Sequence, residues 1–358
     1  MKNIKNRIRI KDIAKLAGVS QGTVDRVLHN RGEVADETRN KILTIIDNLG
    51  YTPNLIAKTL ASKKHYRLAV LIPFAGDDNP YWEKPLIGIN KASEEIRDYN
   101  AEVNIYTFNL SDGIAFRSDF ERVMSTNPDG LIFSPVFFNS SVDIIKSCEE
   151  KQIPYIFIDV NIEGYNNLAY FGQHSVRSGN LAAKLMAYGT GEEAKILIIK
   201  MAKQEGTAFH LALREKGFLS YFNSDLKRKK TNITSVDVDY ADQANIERIL
   251  IKKNITISNV DGIFIPNSRA YAISEFLEAR AISNVRLIGY DLIERNLHYL
   301  EKGIISFLIG QKPEEQGYKS VISLFNFLFS GKQIEKINYS PIDIIMKENL
   351  DYYKNLNS

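Results

Sequence analysis

Cysteine is nearly absent: Cys148 stands alone in 358 residues, which excludes an intramolecular disulfide and fits a reducing compartment. No stretch approaches the roughly 18 consecutive apolar residues that a bilayer-spanning helix needs. The opening residues, MKNIKNRIRIKD, hold no apolar run that would serve as the core of a secretory signal. A cytoplasmic protein with no membrane partner is therefore expected. Histidine is sparse too, and His29, His65, His174, His210 and His298 lack metal-ligand spacing. Neither a G-x-x-x-x-G-K-[ST] phosphate loop nor an H-E-x-x-H zinc motif occurs. Cys148 falls in an amphipathic helical pattern, where packing is expected rather than nucleophilic chemistry. These absences argue against an enzyme, and no cofactor or metal is expected.

What the chain does have is length and an uneven charge. Its length suits two or three domains, and 44% hydrophobic with 25% charged residues is ordinary for a globular protein. The net charge of +3 conceals an asymmetry. Residues 1–65 carry 13 Lys and Arg against 6 Asp and Glu, a balance of +7, and the remainder carries 33 against 37, a balance of −4. A basic head on a mildly acidic body points to a polyanion as the partner of the head. On charge alone, a solvated basic arm explains the head equally well.

The head reads as three short helices. Asp12 to Ala17 has Ile13, Leu16 and Ala17 at helical spacing. Gly18 then permits a tight turn, and Ser20 is a good N-cap for a second helix from Gln21 to about Asn30. That helix turns Val24, Val27 and Leu28 inward. A third helix, about Asp36 to Asn48, turns Ile42, Ile45, Ile46 and Leu49 inward and stops at Gly50. Two helices joined by a turn around Gly are the helix-turn-helix arrangement, with small Ala14 allowing close approach. The second helix then enters the major groove. Its outward residues are Gln21, Asp25, Arg26 and His29; Arg26 can fork onto guanine and Gln21 can pair with adenine. A plain helical bundle would show the same periodicity.

The residues themselves narrow the choice. Asp12, Ala14, Ala17-Gly18-Val19-Ser20, Thr23-Val24, Arg26, Thr38-Arg39, Leu49-Gly50-Tyr51, Pro53-Asn54, Ala57 and Leu60 follow one ungapped pattern. Over this whole region the chain resembles the LacI/GalR family of bacterial transcription regulators. The resemblance implies a DNA-contacting set of Ser20, Gln21, Gly22, Thr23, Arg26, His29, Thr38, Tyr51, Asn54, Ala57 and Leu60. It also implies a hinge helix and linker over residues 53–65, the helix in Leu55–Ser62 after Pro53-Asn54 and ordering on DNA, with Asn54 on the backbone, Ala57 close to the minor groove and Leu60 wedged into it; Leu60 as ordinary core is the plainer alternative. Three positions depart from the family. Gly22 brings no side chain to a base-reading site, Asp25 brings a carboxylate near phosphates, and Ala35 replaces a capping Ser, leaving Asp36 to cap the third helix.

From Tyr66 the pattern changes to alternating strands and helices. RLAVLIP (67–73), EVNIYTF (102–108), GLIFSP (130–135) and YIFID (155–159) are strands. Helices are expected over 83–99, 116–126 and 142–151. A second set follows: a helix over 175–188, then KILIIK (195–200), VDGIFIP (260–266) and VRLIGYD (285–291). Repeated βα units imply doubly wound parallel sheets, and two sets imply two lobes, with ligands beyond the carboxyl ends of the strands. The expected plan is a helix-turn-helix domain over 1–52, the hinge over 53–65, and a two-lobed body over 66–358. The first lobe takes about 66–172 and 313–340, the second about 173–312 and 341–358.

The body resembles the periplasmic sugar-binding fold that serves as effector domain in the same family. The resemblance rests on Asn79-Pro80-Tyr81-Trp82, Phe157-Ile158-Asp159, Arg214-Glu215-Lys216-Gly217-Phe218, Asn267, Gly289-Tyr290-Asp291 and Ile309-Gly310-Gln311. It implies an effector set of Asn79, Tyr81, Trp82, Asp159, Arg214, Asn267, Asp291 and Gln311. The chemistry suits a carbohydrate: Asp159 and Asp291 accept hydroxyl protons, Arg214 donates in a fork, Asn267 and Gln311 do both, and Tyr81 or Trp82 stacks on a ring face. Each also has a duller explanation, as a loop cap, a surface charge or core. Ser268 stands where an Asp is usual, and Arg269 is read as solvent-facing on the next helix; turned inward it would favour an anionic ligand such as a sugar acid. The expected function is that of a sequence-specific transcription repressor whose affinity for an approximately palindromic DNA operator is set allosterically by a small molecule, a sugar or sugar derivative. The tail lacks sustained leucine heptads, so a homodimer without a tetramerising coiled coil is expected. The alternative is a sugar-binding transport-type protein with no regulatory role.

Overall fold

The computed structural model describes residues 10–28, 32–49, 64–77, 79–110, 112–201, 209–239 and 242–355. The chain divides into two compact units, Met1–Lys64 and His65–Ser358.

In the first unit, α1 (Ile10–Ala17), α2 (Gln21–Leu28) and α3 (Asp36–Leu49) enclose Ile13, Ala14, Ala17, Val24, Val27 and Ile42. Gly18 takes φ +72° at the turn, a left-handed conformation that a side chain resists. The Val19 N–H closes the turn onto the Ala14 carbonyl at 3.0 Å. Ser20 caps α2, its Oγ accepting from the Thr23 N–H at 3.1 Å. Two expectations fail here. Leu16 is 58% exposed, because the next residue, Ala17, occupies the buried stripe. The carbonyl of Ala35 accepts the first helical bond of α3, from the Arg39 N–H at 2.9 Å. Ala35 is therefore the cap residue, and Asp36 sits inside the first turn, where a carboxylate favours the helix dipole.

The second unit holds two six-stranded sheets. The first runs β11-β5-β4-β3-β1-β2, from β1 (Tyr66–Pro73), β2 (Ala101–Phe108), β3 (Gly130–Phe133), β4 (Tyr155–Ile158), β5 (Ala169–Gly172) and β11 (Ile337–Tyr339). The second runs β12-β10-β9-β8-β6-β7, from β6 (Lys195–Met201), β7 (Asn232–Val238), β8 (Gly262–Phe264), β9 (Arg286–Tyr290), β10 (Ile305–Gly310) and β12 (Asp343–Ile345). All pairings are parallel except that of β10 with β12. Strands of parallel sheets are buried on both faces, which is why they read as unbroken apolar runs. On β1, Leu68, Val70 and Ile72 enter one core while Ala69 and Leu71 enter the other. Cys148 lies in the second of these, and burial pushes its thiol up to about 12.

The two lobes repeat one plan in detail. Asp129 and Asp261 each precede a glycine that opens a strand. Each carboxylate accepts from a backbone N–H on the adjoining strand, Arg67 at 2.8 Å and Lys195 at 2.7 Å. In the first lobe α4 (Glu83–Arg97) crosses α12 (Pro313–Ser330), and a methyl on Gly88 would run into the Glu314 carbonyl. In the second, α7 (Ser175–Tyr188) crosses α8 (Phe209–Ser224). Methyls on Gly179 and Gly217 would run into the Arg214 and Val176 carbonyls. Backbone meets backbone at both crossings.

Three crossovers join the lobes, after β5, β10 and β11. Gln173 ties them together: its Nε2 donates to the Gly310 carbonyl at 2.9 Å and the Pro341 carbonyl at 3.3 Å. The Ser340 N–H adds a bond to Gly172 at 2.7 Å.

Gly179→Ala is expected to force α7 and α8 apart and to cost about 1–3 kcal/mol. Thermal or urea unfolding of the full chain measures this; an unchanged midpoint would mean that the crossing has room for a methyl.

Candidate functional site

The carboxyl ends of both sheets face one cavity. Asn79, Tyr81 and Trp82 come from the loop after β1, Asp159 from the end of β4, and Arg214 from α8. Asn267 follows β8, Asp291 follows β9, and Gln311 lies on the crossover after β10. All eight candidate effector residues line this cavity. They come from sequence positions more than two hundred residues apart, and the sheet topology is what gathers them.

The two aspartates occupy equivalent places in the two lobes. Asp159 takes φ +66° and Asp291 φ +69°. Each backbone N–H bonds across to the next strand, to Phe171 at 2.9 Å and Ile309 at 3.0 Å. A left-handed backbone costs a non-glycine residue roughly 1 kcal/mol; here it turns the carboxylate into the cleft. Asp159 accepts from the Tyr81 hydroxyl at 2.8 Å. Asp291 accepts from Gln311 Nε2 at 2.8 Å.

Arg214 is only 3% exposed. It donates from Nη1 to the Pro266 carbonyl at 2.7 Å and from Nη2 to Gln311 Oε1 at 2.6 Å, with its guanidinium 3.9 Å from the centre of the Tyr290 ring. Its Nε has no hydrogen-bond partner. Burial raises the pKa of both aspartates, while the charge of Arg214 and one hydrogen bond each oppose the rise. Asp291 ends at about 7, with the like charge of Asp159 adding to the rise. His210, on α8, also lines the cavity; burial first, and the Arg214 charge second, lower its pKa to about 3. It is therefore neutral, and its Nδ1 has no partner.

Arg269 corrects its sequence reading. It is the residue before α10 (Ala270–Ala279) rather than on that helix, and its side chain lines the cavity. Nη1 donates to the Met201 carbonyl at 2.7 Å and Nη2 to Asn79 Oδ1 at 3.2 Å, so it spans from the second lobe to the first. Asn267 steadies the same loop: Nδ2 donates to Met201 at 2.6 Å and Oδ1 accepts from the Arg269 N–H at 3.2 Å. Trp82 is 4% exposed, both part of the first lobe's core and part of the cavity wall.

Sequence reasoning missed His210, Met201 and Gln173. Met201 ends a strand that was recognised, and strand ends were the signal. His210 opens a helix outside the recognised set, and Gln173 acts through backbone carbonyls that no side-chain pattern reveals.

In the head, Gln21, Gly22 and Arg26 are exposed on α2, with Ser20 exposed before it and Thr23 half-buried; Thr38 is half-buried on α3. Ser20 Oγ and Thr23 Oγ1 lie 2.9 Å apart, and Arg26 Nε donates to the Gly22 carbonyl at 3.3 Å. His29, Tyr51, Asn54, Ala57 and Leu60, with the rest of the hinge reading, lie outside the described residues. Among the described residues there is no group of three acid, His or Cys side chains placed to hold a metal, and no helix long and apolar enough to cross a membrane.

A helix-turn-helix head and a periplasmic-binding-protein body define a chimera of two well-marked modules. Residues 9–54 match the model of bacterial regulatory proteins of the lacI family, and residues 69–333 match that of the periplasmic binding protein domain. The crystal structure of a protein from Bacteroides fragilis, described as a LacI transcriptional regulator, is 32% identical with a TM-score of 0.72, over 81% of this chain and 100% of that one. The chain belongs to the lacI family of bacterial regulatory proteins. The probable HTH-type transcriptional repressor ExuR of Bacillus subtilis is 32% identical over 160 residues, 44% of each chain. The ribose operon repressor of Lactococcus lactis is 26% identical over 291 residues, 80% of this chain and 81% of that one. The match to ExuR spans less than half of that relative's length.

The folded-state pKa of Asp291 lies above that of an unfolded aspartate, so ionising it penalises the folded state. The penalty is absent below about pH 4, grows as pH rises, and is complete above about 7. Asp291→Asn keeps an Oδ1 acceptor for Gln311 and removes the penalty. The melting temperature of this variant relative to the parent is expected to climb across that window and level off above it. A pH-independent difference would show that Asp291 ionises like an exposed carboxylate.

Proposed function

We propose that the chain is a transcription repressor whose grip on an operator is set by a carbohydrate bound between the lobes of its body. The observation that carries this reading is the conjunction, in one chain, of a lacI-type head with a cleft lined by all eight candidate effector residues. The relatives agree in kind: one is named a probable transcriptional repressor and another the ribose operon repressor.

Arg26 and Gln21 read bases in the major groove, with Ser20, Thr23, His29, Thr38 and Tyr51 on the backbone and flanks. Gly22 reads nothing, so discrimination falls mainly to Arg26. Asn54, Ala57 and Leu60 act at the minor groove through a hinge helix. Two chains form a homodimer, and two heads give an approximately palindromic operator. The protein works in the cytoplasm and binds rather than catalyses. In the cleft, Asp159 and Asp291 accept ligand hydroxyls, Arg214, Asn267 and Gln311 fix its orientation, and Trp82 and Tyr81 cover its apolar face. The ligand shifts DNA affinity by as much as it prefers one arrangement of the lobes over the other.

Two substitutions separate the roles. Arg26→Ala is expected to narrow the gap between operator and unrelated DNA by about 1–3 kcal/mol. Asp291→Ala should leave operator binding intact and abolish the response to ligand. Fluorescence anisotropy with the operator, with and without ligand, reads both. Loss of operator binding by a folded Asp291→Ala protein would sink this division of labour.

A further inference from the structure

We propose that the body carries a second ligand site, beside the starts of α7 and α8, for a neutral aromatic carboxamide: a flat ring held among Phe138, Phe209 and Tyr339, whose amide meets Gln173 Oε1 and His210 Nδ1. The site stands apart from the effector cleft and does not depend on the carbohydrate reading.

The cavity that forms it has a volume of about 410 Å³, within the range of small-molecule sites, roughly 300–1,000 Å³. Phe138 opens α6 (Phe138–Glu150) in the first lobe, Phe209 opens α8 in the second, and Tyr339 ends β11, where a crossover begins. The loop after β4 and the first turn of α7 complete the wall. Among the described residues this cavity and the effector cleft share only His210.

Two buried polar atoms in this wall have no partner. Gln173 is 2% exposed, and its Nε2 is spent on the Gly310 and Pro341 carbonyls. Its Oε1 receives no donor, and His210 Nδ1 is equally unmet. Buried polar atoms in folded proteins are nearly always satisfied, so two unmet atoms in one cavity point to a ligand group that meets both. The ring of His210 is neutral, and its Nδ1 either donates or accepts according to tautomer. A primary amide offers two donors and an acceptor, so it supplies Oε1 with a donor and satisfies Nδ1 in either tautomer. A carboxylate brings no donor to Oε1. The start of α7, a natural draw for an anion, is already capped by His174, whose Nδ1 accepts from the Arg177 N–H at 3.4 Å.

The walls select the rest of the molecule. Phe138 and Phe209 are each 42% exposed and Tyr339 52%, large rings left open in a concave place. The Phe138 and Phe209 rings lie 6.4 Å apart at 41°, and the His174 ring lies 4.9 Å from that of Tyr339 at 33°. Aromatic rings associate by offset faces and by edges, and a flat ligand presents both.

Titration calorimetry on the full chain tests the site, with benzamide and nicotinamide as probes and benzoate as the anion of matching shape. The amides are expected to bind with dissociation constants of about 1 mM or tighter for ligands of this size. Benzoate is expected to bind about tenfold more weakly or worse. Phe138 lines this cavity and not the effector cleft, whereas Asp291 lines the cleft and not this cavity. Phe138→Ala should therefore weaken benzamide about tenfold, and Asp291→Ala should change it by less than about twofold. The ¹⁵N resonance of His210 Nδ1 should move when benzamide is added. Circular dichroism and melting establish that each variant is folded. Benzamide binding lost in Asp291→Ala but kept in Phe138→Ala would place the amide in the effector cleft and overturn the second site. Benzoate binding as tightly as benzamide overturns the amide recognition. Silence from both amides up to about 10 mM overturns the site and leaves Gln173 and His210 to water, while the reading of the effector cleft would stand.

Discussion

Two carboxylates of like charge face one buried cavity, and the guanidinium of Arg214 is what makes their company tolerable. It lowers the pKa of each against the rise that burial imposes. It is itself fixed at three points: the Pro266 carbonyl, Gln311 Oε1 and the face of Tyr290. Those points belong to the segment after β8, a crossover between lobes and the end of β9. The arginine therefore couples the charge of the cleft to the connection between the lobes. Its backbone does as much: Gly179 lets α7 lie against the Arg214 carbonyl, so the helix crossing of the second lobe sets where the guanidinium stands.

The same economy appears twice. Strand order, the aspartate that precedes a strand-opening glycine, the glycine-lined helix crossing and the left-handed aspartate at a strand end all recur in the two lobes. The cleft is built from one half-site used twice, closed by residues that are not repeated. Arg214, Arg269 and Trp82 in the cavity wall break the pseudo-symmetry.

Much of this was legible in the sequence. Gly18 and Ser20 fix the head's turn by local backbone chemistry, and the family pattern around them is dense. The eight candidate effector residues come from the resemblance of the body to the periplasmic sugar-binding fold, and the structure sets all eight around one cavity because strand ends in parallel sheets converge and α8 brings Arg214 beside them. The repeat itself was written in Asp129-Gly130-Leu131-Ile132-Phe133 and Asp261-Gly262-Ile263-Phe264, though it passed for two ordinary strands. Other features could not be read. Leu16 looked like core because helical spacing alone does not say which edge of the apolar stripe faces water. Arg269 looked solvent-facing because the pattern placed it on a helix, whereas it stands one residue before it. His210 and Gln173 act through tertiary neighbours, which periodicity does not encode.

The carboxamide of Gln173 has a mechanical consequence. It reaches two crossovers from its place on the third, so the lobes are pinned near a common point instead of along three independent straps. A body suspended in this way has few ways to move: it rotates about the pin and resists sliding or splaying. Whatever enters the cleft is thereby converted into an angle between the lobes, one coordinate in place of several independent displacements.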